Sequence, residues 1–107
     1  MNYLKQPSGK IKKLTQASKG EACINCYRNN GTTCARHYNG LRQHLYGKGR
    51  GIKAHDLCTA DLCEECDVLF SEGSKEGFSG DIDRSEQFQH LILLTNIRRF
   101  NNGVLKV

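Results

Sequence analysis

The chain has no tryptophan, a single proline (Pro7) and few aromatic rings, and only 37% of its 107 residues are hydrophobic. A core that lean in a chain this short is marginal, so a metal staple is physically welcome. No apolar run reaches the length of a bilayer-crossing helix, so no membrane span is expected in these residues. The polar, lysine-rich residues 1–20 lack the apolar stretch of a secretory signal. The expectation is a cytoplasmic protein of one domain, two at most, whose thiols stay reduced. Acid is nearly missing from the first half. Residues 1–53 carry eleven Lys and Arg against one acid, Glu21, whereas residues 54–107 carry five against ten acids. A basic half of about +10 facing an acidic half of about −5 suggests a polyanionic partner, and nucleic acid is the obvious one. A solubilising tail with an acidic surface is the plainer alternative.

Against these absences stand six cysteines, four of them in two Cys-x-x-Cys pairs, Cys23/Cys26 and Cys63/Cys66. Two intervening residues let both sulfurs of a pair turn toward one ion, and two such pairs suit a tetrahedral structural zinc site. A disulfide framework fits a reducing compartment less well. Cys34 lies in a predicted strand and reads as a packed thiol. Cys58 is close enough to the second pair to substitute as a ligand.

Residues 1–20 form a basic N-terminal segment. Thr32 to Tyr38, after the turn signal Asn29-Asn30-Gly31, favours a strand with Thr33, Ala35 and His37 on one face. Residues 39–53 form a loop rich in glycine and basic residues, where Arg42, His44, Lys48, Arg50 and Lys53 are candidate phosphate contacts. The loop lacks the order of a P-loop, so nucleotide hydrolysis is not expected. Asp56 to Leu62 suits a short second strand, and Cys63 to Glu72 a short helix with Leu62, Cys66, Leu69 and Phe70 near one face, stopped by Gly73. A connection spans 74–83. The last helix, 84–107, begins with Asp83 as cap and Glu86 three residues on, places Phe88, Leu91, Leu94 or Thr95, Ile97 and Phe100 at helical spacing, and ends at Gly103. That helix packs on the domain formed by 21–73, or pairs with a second copy as a homodimer. There is no internal repeat.

From Ser18 to about Ser71, and again near the C-terminus, the sequence resembles the YbcO-like nucleases of lambdoid phages and prophages, of the HNH or ββα-metal superfamily. The matching residues are Gly20-Glu21-Ala22-Cys23, Asn29 to His37, the stretch Gly49-Arg50-Gly51-Ile52-Lys53-Ala54-His55-Asp56-Leu57, Cys63-Glu64-Glu65-Cys66 and the ending Gly103-Val104-Leu105-Lys106. The phage Rap-type recombination nucleases share the layout more loosely. The resemblance implies an α+β fold: a small zinc-stapled ββα-metal domain with an additional C-terminal helix. It also implies metal-dependent cleavage of DNA phosphodiester bonds, in recombination or DNA processing, in the cytoplasm of a bacterial host. His37, at the position of the family's hairpin His, would be the general base or a metal ligand. Asp56 would orient His37 or coordinate a divalent ion. The family's second knuckle is followed at once by a ligating His, where this chain has Asp67. A carboxylate there suits Mg²⁺ or Mn²⁺ as the catalytic ion; the same residue also reads as an ordinary helix-start acid. The first knuckle is tighter than the family's, and residues 38–48 look like an insertion. His55 is a ligand or a loop residue, and His90 a surface or packing residue. The alternatives to an endonuclease are a non-catalytic zinc-stapled DNA-binding protein and an adaptor whose long helix exposes Phe88, Leu91 and Ile97.

Overall fold

The structure, a computed structural model, describes residues 11–41, 43–46, 53–71 and 80–105. Its elements in chain order are α1 (Lys12–Ala17), β1 (Cys34–His37), a 3-10 turn (Gln43–Tyr46), β2 (Thr59–Leu62), α2 (Glu64–Ser71) and α3 (Asp81–Asn101). The result is a small mixed α/β arrangement, with one two-stranded sheet and three helices. β1 and β2 are antiparallel, with Cys34 opposite Leu62 and His37 opposite Thr59.

A two-stranded ribbon is not stable by itself. Here the helices cover it: α3 lies against β2, α1 against β1, and α2 touches both β2 and α3. All four residues of β2 are buried, although two are polar. The pleat puts Ala60 and Leu62 on one face and Thr59 and Asp61 on the other. Ala60 and Leu62 join the apolar core with Tyr38, Phe70, Phe88, Leu91 and Ile92. Phe88 sits between two rings, its centroid 5.4 Å from Tyr38 and 5.1 Å from Phe70. Tilted and edge-on pairs of this kind add to the gain from burial. The Tyr38 hydroxyl finds its partner in Ser85 Oγ on α3.

The long helix departs from the expected phase. Its buried stripe is Ser85, Phe88, Leu91, Ile92, Thr95 and Arg99, while Leu93, Ile97 and Phe100 are exposed. Ile97 lies two residues, about 200° of helical turn, from Thr95 and faces away from the core. The helix also starts earlier than Asp83. Asp81 and Asp83 both lie in its first turn, and Gly80 is the N-cap with no side-chain cap. Arg84 then ties this start to α2 by donating from Nη1 to the Phe70 carbonyl at 2.6 Å and to the Asn39 carbonyl at 2.6 Å. The C-terminal stop is as expected. Gly103 adopts φ +75, its N–H donates to Phe100, and the Val104 N–H reaches back to Arg99. This is the Schellman arrangement, which requires a left-handed residue at that point.

Within the basic segment 1–20, residues Lys12–Ala17 form a helix that is docked on the rest of the fold. Leu14 and Ser18 are buried, and the Ile11 N–H reaches across to Asp56. No helix among the described residues is long and apolar enough to cross a membrane.

Candidate metal centre and histidine–carboxylate pair

The first knuckle is held by its own backbone. Cys23 N–H donates to Arg28 at 2.9 Å and Tyr27 N–H to Cys23 at 2.8 Å, while Ile24 N–H docks on the Asp61 carbonyl of β2 at 2.8 Å. The second knuckle runs straight from β2 into α2. These constraints bring the sulfurs of Cys23, Cys26, Cys63 and Cys66 within 4.8 Å of one another. Cys26 and Cys63 are 3.7 Å apart. Four thiolates at ~2.3 Å from one zinc stand ~3.8 Å apart along a tetrahedral edge, so the donor set and spacing fit a four-sulfur zinc site. Three of the cysteines are buried and Cys26 is exposed. Asn25 Nδ2 donates to Cys66 Sγ at 3.3 Å, the kind of outer contact that orients a metal-binding thiolate. Burial works against ionisation of Cys23, but N–H groups of Cys26, Cys63 and Asn25 outweigh it and hold its pKa at about 7. Burial pushes the Cys66 thiol up. Cys34 and Cys58 stay outside the cluster. Both are half-buried, and burial pushes the Cys58 thiol up.

The opposite end of the hairpin holds a different chemistry. His37 closes β1, three residues and ~10 Å from the Cys34 end. Its Nε2–H donates to Asp56 Oδ1 at 2.7 Å. Asp56 is buried, and its other oxygen, Oδ2, accepts the Ile11 N–H at 2.5 Å. Thr59, the register partner of His37, donates from Oγ1 to the Asp56 carbonyl at 2.7 Å. The carboxylate is thus held by the Ile11 N–H and the backbone of Asp56 by Thr59, and the carboxylate in turn fixes the imidazole. In a neutral imidazole a bond donated from Nε2 places the lone pair on Nδ1. The His37 side chain keeps 20% of its surface open.

Asp67 is placed elsewhere. It forms an ion pair with Arg36 at 3.5 Å. Arg36 and His37 are adjacent on β1 and so point to opposite faces. Among the described residues, His37, Asp56 and Asp67 do not form one group of ligand atoms, and the four cysteines are the sole such group. Of the predicted phosphate contacts, Lys53 and His44 are exposed, while Arg42, Lys48 and Arg50 lie outside the described residues. His55 is a loop residue whose Nδ1 accepts the Leu57 N–H at 3.1 Å. His90 is exposed on α3.

Sequence reasoning missed the residues behind the pair. Arg99, with 4% of its side chain exposed, donates to Thr59 Oγ1 at 2.7 Å and to Ser18 Oγ at 3.4 Å. Arg98 donates to Asp61 Oδ2 at 2.6 Å and to the Ala22 carbonyl at 2.8 Å. The one available signal was spacing, since Arg99 falls four and seven residues after Thr95 and Ile92 on the buried stripe.

Comparison with family models, with curated proteins and with solved structures gives no match to this chain. What the fold and the site define is a small mixed α/β protein with a four-cysteine cluster able to hold a metal.

Proposed function

We propose that this chain is a nucleic-acid phosphodiesterase of the ββα-metal, HNH-like type, akin to the YbcO-like phage nucleases. The observation that carries the reading is the His37–Asp56 pair, at 2.7 Å. A histidine held on one nitrogen by a buried carboxylate is the general-base arrangement of many hydrolases. In the proposed reaction Nδ1 of His37 takes a proton from water as the water oxygen attacks phosphorus. The phosphorus–O3′ bond breaks with its electron pair going to the 3′-oxygen, which takes a proton from solvent. Asp56 holds the imidazole in the required tautomer and stabilises the imidazolium that forms. Cys23, Cys26, Cys63 and Cys66 would hold zinc, which supplies rigidity at the far end of the hairpin. The His37 and Asp67 ligand pair expected for Mg²⁺ or Mn²⁺ does not fit the ion pair that Asp67 makes with Arg36, so no step is routed through that ion.

That same ion pair favours the second reading, a zinc-stapled nucleic-acid-binding protein without catalysis. The adaptor reading loses two of its three residues, because Phe88 and Leu91 are buried. The deciding experiment incubates zinc-loaded protein with supercoiled plasmid and single-stranded DNA, with and without Mg²⁺ or Mn²⁺. Nicking that falls by roughly 100-fold or more in both His37→Ala and Asp56→Asn is the expected result. Binding without nicking selects the second reading. Nicking untouched by His37→Ala removes His37 from the mechanism.

A further inference from the structure

Tyr27 stands in a conformation that its surroundings do not reward. Its φ is +62, and among the described residues it is the sole non-glycine with positive φ. The other such positions, Gly20, Gly31 and Gly103, use the residue that tolerates them. A bulky aromatic in the left-handed region is disfavoured by contact of its Cβ with the backbone. Burial does not offset that cost, because Tyr27 is 72% exposed, whereas the core tyrosine Tyr38 is 1% exposed. The conformation is imposed by the knuckle, through the Tyr27 N–H bond to Cys23 and the Cys23 N–H bond to Arg28. Glycine or asparagine there would serve the turn better, so the ring is not explained by stability. Strain that persists without a packing gain points to a contact with something outside the chain.

Resting on the nucleic-acid reading above, we propose that Tyr27 is a stacking platform for an unpaired nucleobase. The turn that carries the ring is closed by two backbone hydrogen bonds and flanked by Cys26 of the four-sulfur cluster, so little backbone freedom is lost on binding. The chemistry at the spot favours a flat neutral face over a phosphate. The adjacent cation, Arg28, is engaged by Glu65 at 2.6 Å. Phosphate attraction would come instead from the excess of Lys and Arg in the first half of the chain. A base inside a duplex has both faces covered by its neighbours, so the ligand class is single-stranded or frayed nucleic acid.

The test measures fluorescence anisotropy of a labelled oligothymidine and of a blunt duplex with full-length, zinc-loaded protein at low salt. Tyr27→Gly is expected to melt at or above the parent temperature, to bind the single strand roughly tenfold more weakly and to bind the duplex unchanged. Tyr27→Phe, which keeps the ring, is expected to bind like the parent. Equal affinity of Tyr27→Gly and parent for the single strand overturns the stacking role while leaving the nucleic-acid reading intact. Equal weakening on strand and duplex also overturns it. A parent protein that binds neither ligand overturns the nucleic-acid reading and the platform with it.

Discussion

Replacing Arg99 with methionine is expected to destabilise the zinc-loaded protein by about 2 kcal/mol. Methionine preserves most of the stem's bulk, so the substitution isolates the guanidinium from the packing. The guanidinium is buried, and burial pulls its pKa down, with the charges of Asp61 and Asp56 opposing that shift. Its partners are Thr59 Oγ1 at 2.7 Å, Asn96 Oδ1 at 2.8 Å and Ser18 Oγ at 3.4 Å, with Asp61 Oδ1 at 3.9 Å. A hydrogen bond from a charged donor contributes ~1.5–3 kcal/mol, and the longest of the three contributes least. Against that sum, removing a buried cation relieves a desolvation penalty of several kcal/mol. Many buried ion pairs come out neutral on replacement for this reason. Arg99 is expected to differ because it ties α3 to two other parts of the fold through neutral oxygens, Ser18 after α1 and Thr59 on β2, and also bonds Asn96 one turn back on its own helix. Asp61, 3% exposed, would also be left with Arg98 as its single cation among the described residues. The assay is urea unfolding at saturating zinc, beside Arg99→Ala, which adds the lost stem and should cost about 3–5 kcal/mol. An Arg99→Met protein as stable as the parent would refute the argument and make the network energetically idle.

Gly40→Ala should lower the melting temperature by roughly 10 °C, since a Cβ there would overlap the Tyr38 ring and Ser85 Oγ, both buried and bonded to each other; a melting curve unchanged by the substitution would show that the 38–41 turn can shift. One zinc per chain is expected by metal analysis, retained in Cys34→Ser and lost in Cys66→Ser, because Cys66 and not Cys34 belongs to the four-sulfur cluster; two equal stoichiometries would place the metal elsewhere.

Much of the site was legible because its residues are tied by short, fixed spacings. Two Cys-x-x-Cys pairs predict convergence of four sulfurs, and that convergence is what the structure shows. The strand signal from Thr32 to Tyr38 is realised as the shorter β1, Cys34–His37, paired with Thr59–Leu62. The phase of α3 was legible up to Thr95, named as the alternative to Leu94. Apolar periodicity then selects Ile97 and Phe100, but the face of β2 that meets the helix there is polar, carrying Thr59 and Asp61. Thr95 and Arg99 therefore take the buried stripe, and the apolar residues are left outside. The docking of α1 was hidden for a related reason. It uses one apolar side chain, Leu14, together with a backbone N–H and a serine, none of which stands out in a lysine-rich segment. Asp67 was ambiguous because its role depends on which face of β1 meets α2. That face carries Arg36.

The polar face of β2 is also what connects folding to the proposed chemistry. Arg99 reaches Thr59, Thr59 reaches the Asp56 carbonyl, and Asp56 holds both His37 and the start of α1. A hydrophobic α3–β2 contact would have packed the helix as well, but it would have offered Thr59 no buried donor and α1 no polar seat. In a chain with so little apolar material, the same few hydrogen bonds that close the domain also orient the imidazole. The cysteine cluster secures the other end of the hairpin, ~10 Å away, and cannot by itself set the rotamer of His37. Orientation of the histidine therefore falls to Asp56, whose carboxylate is held by the Ile11 N–H and whose backbone carbonyl is held by the Arg99–Thr59 chain.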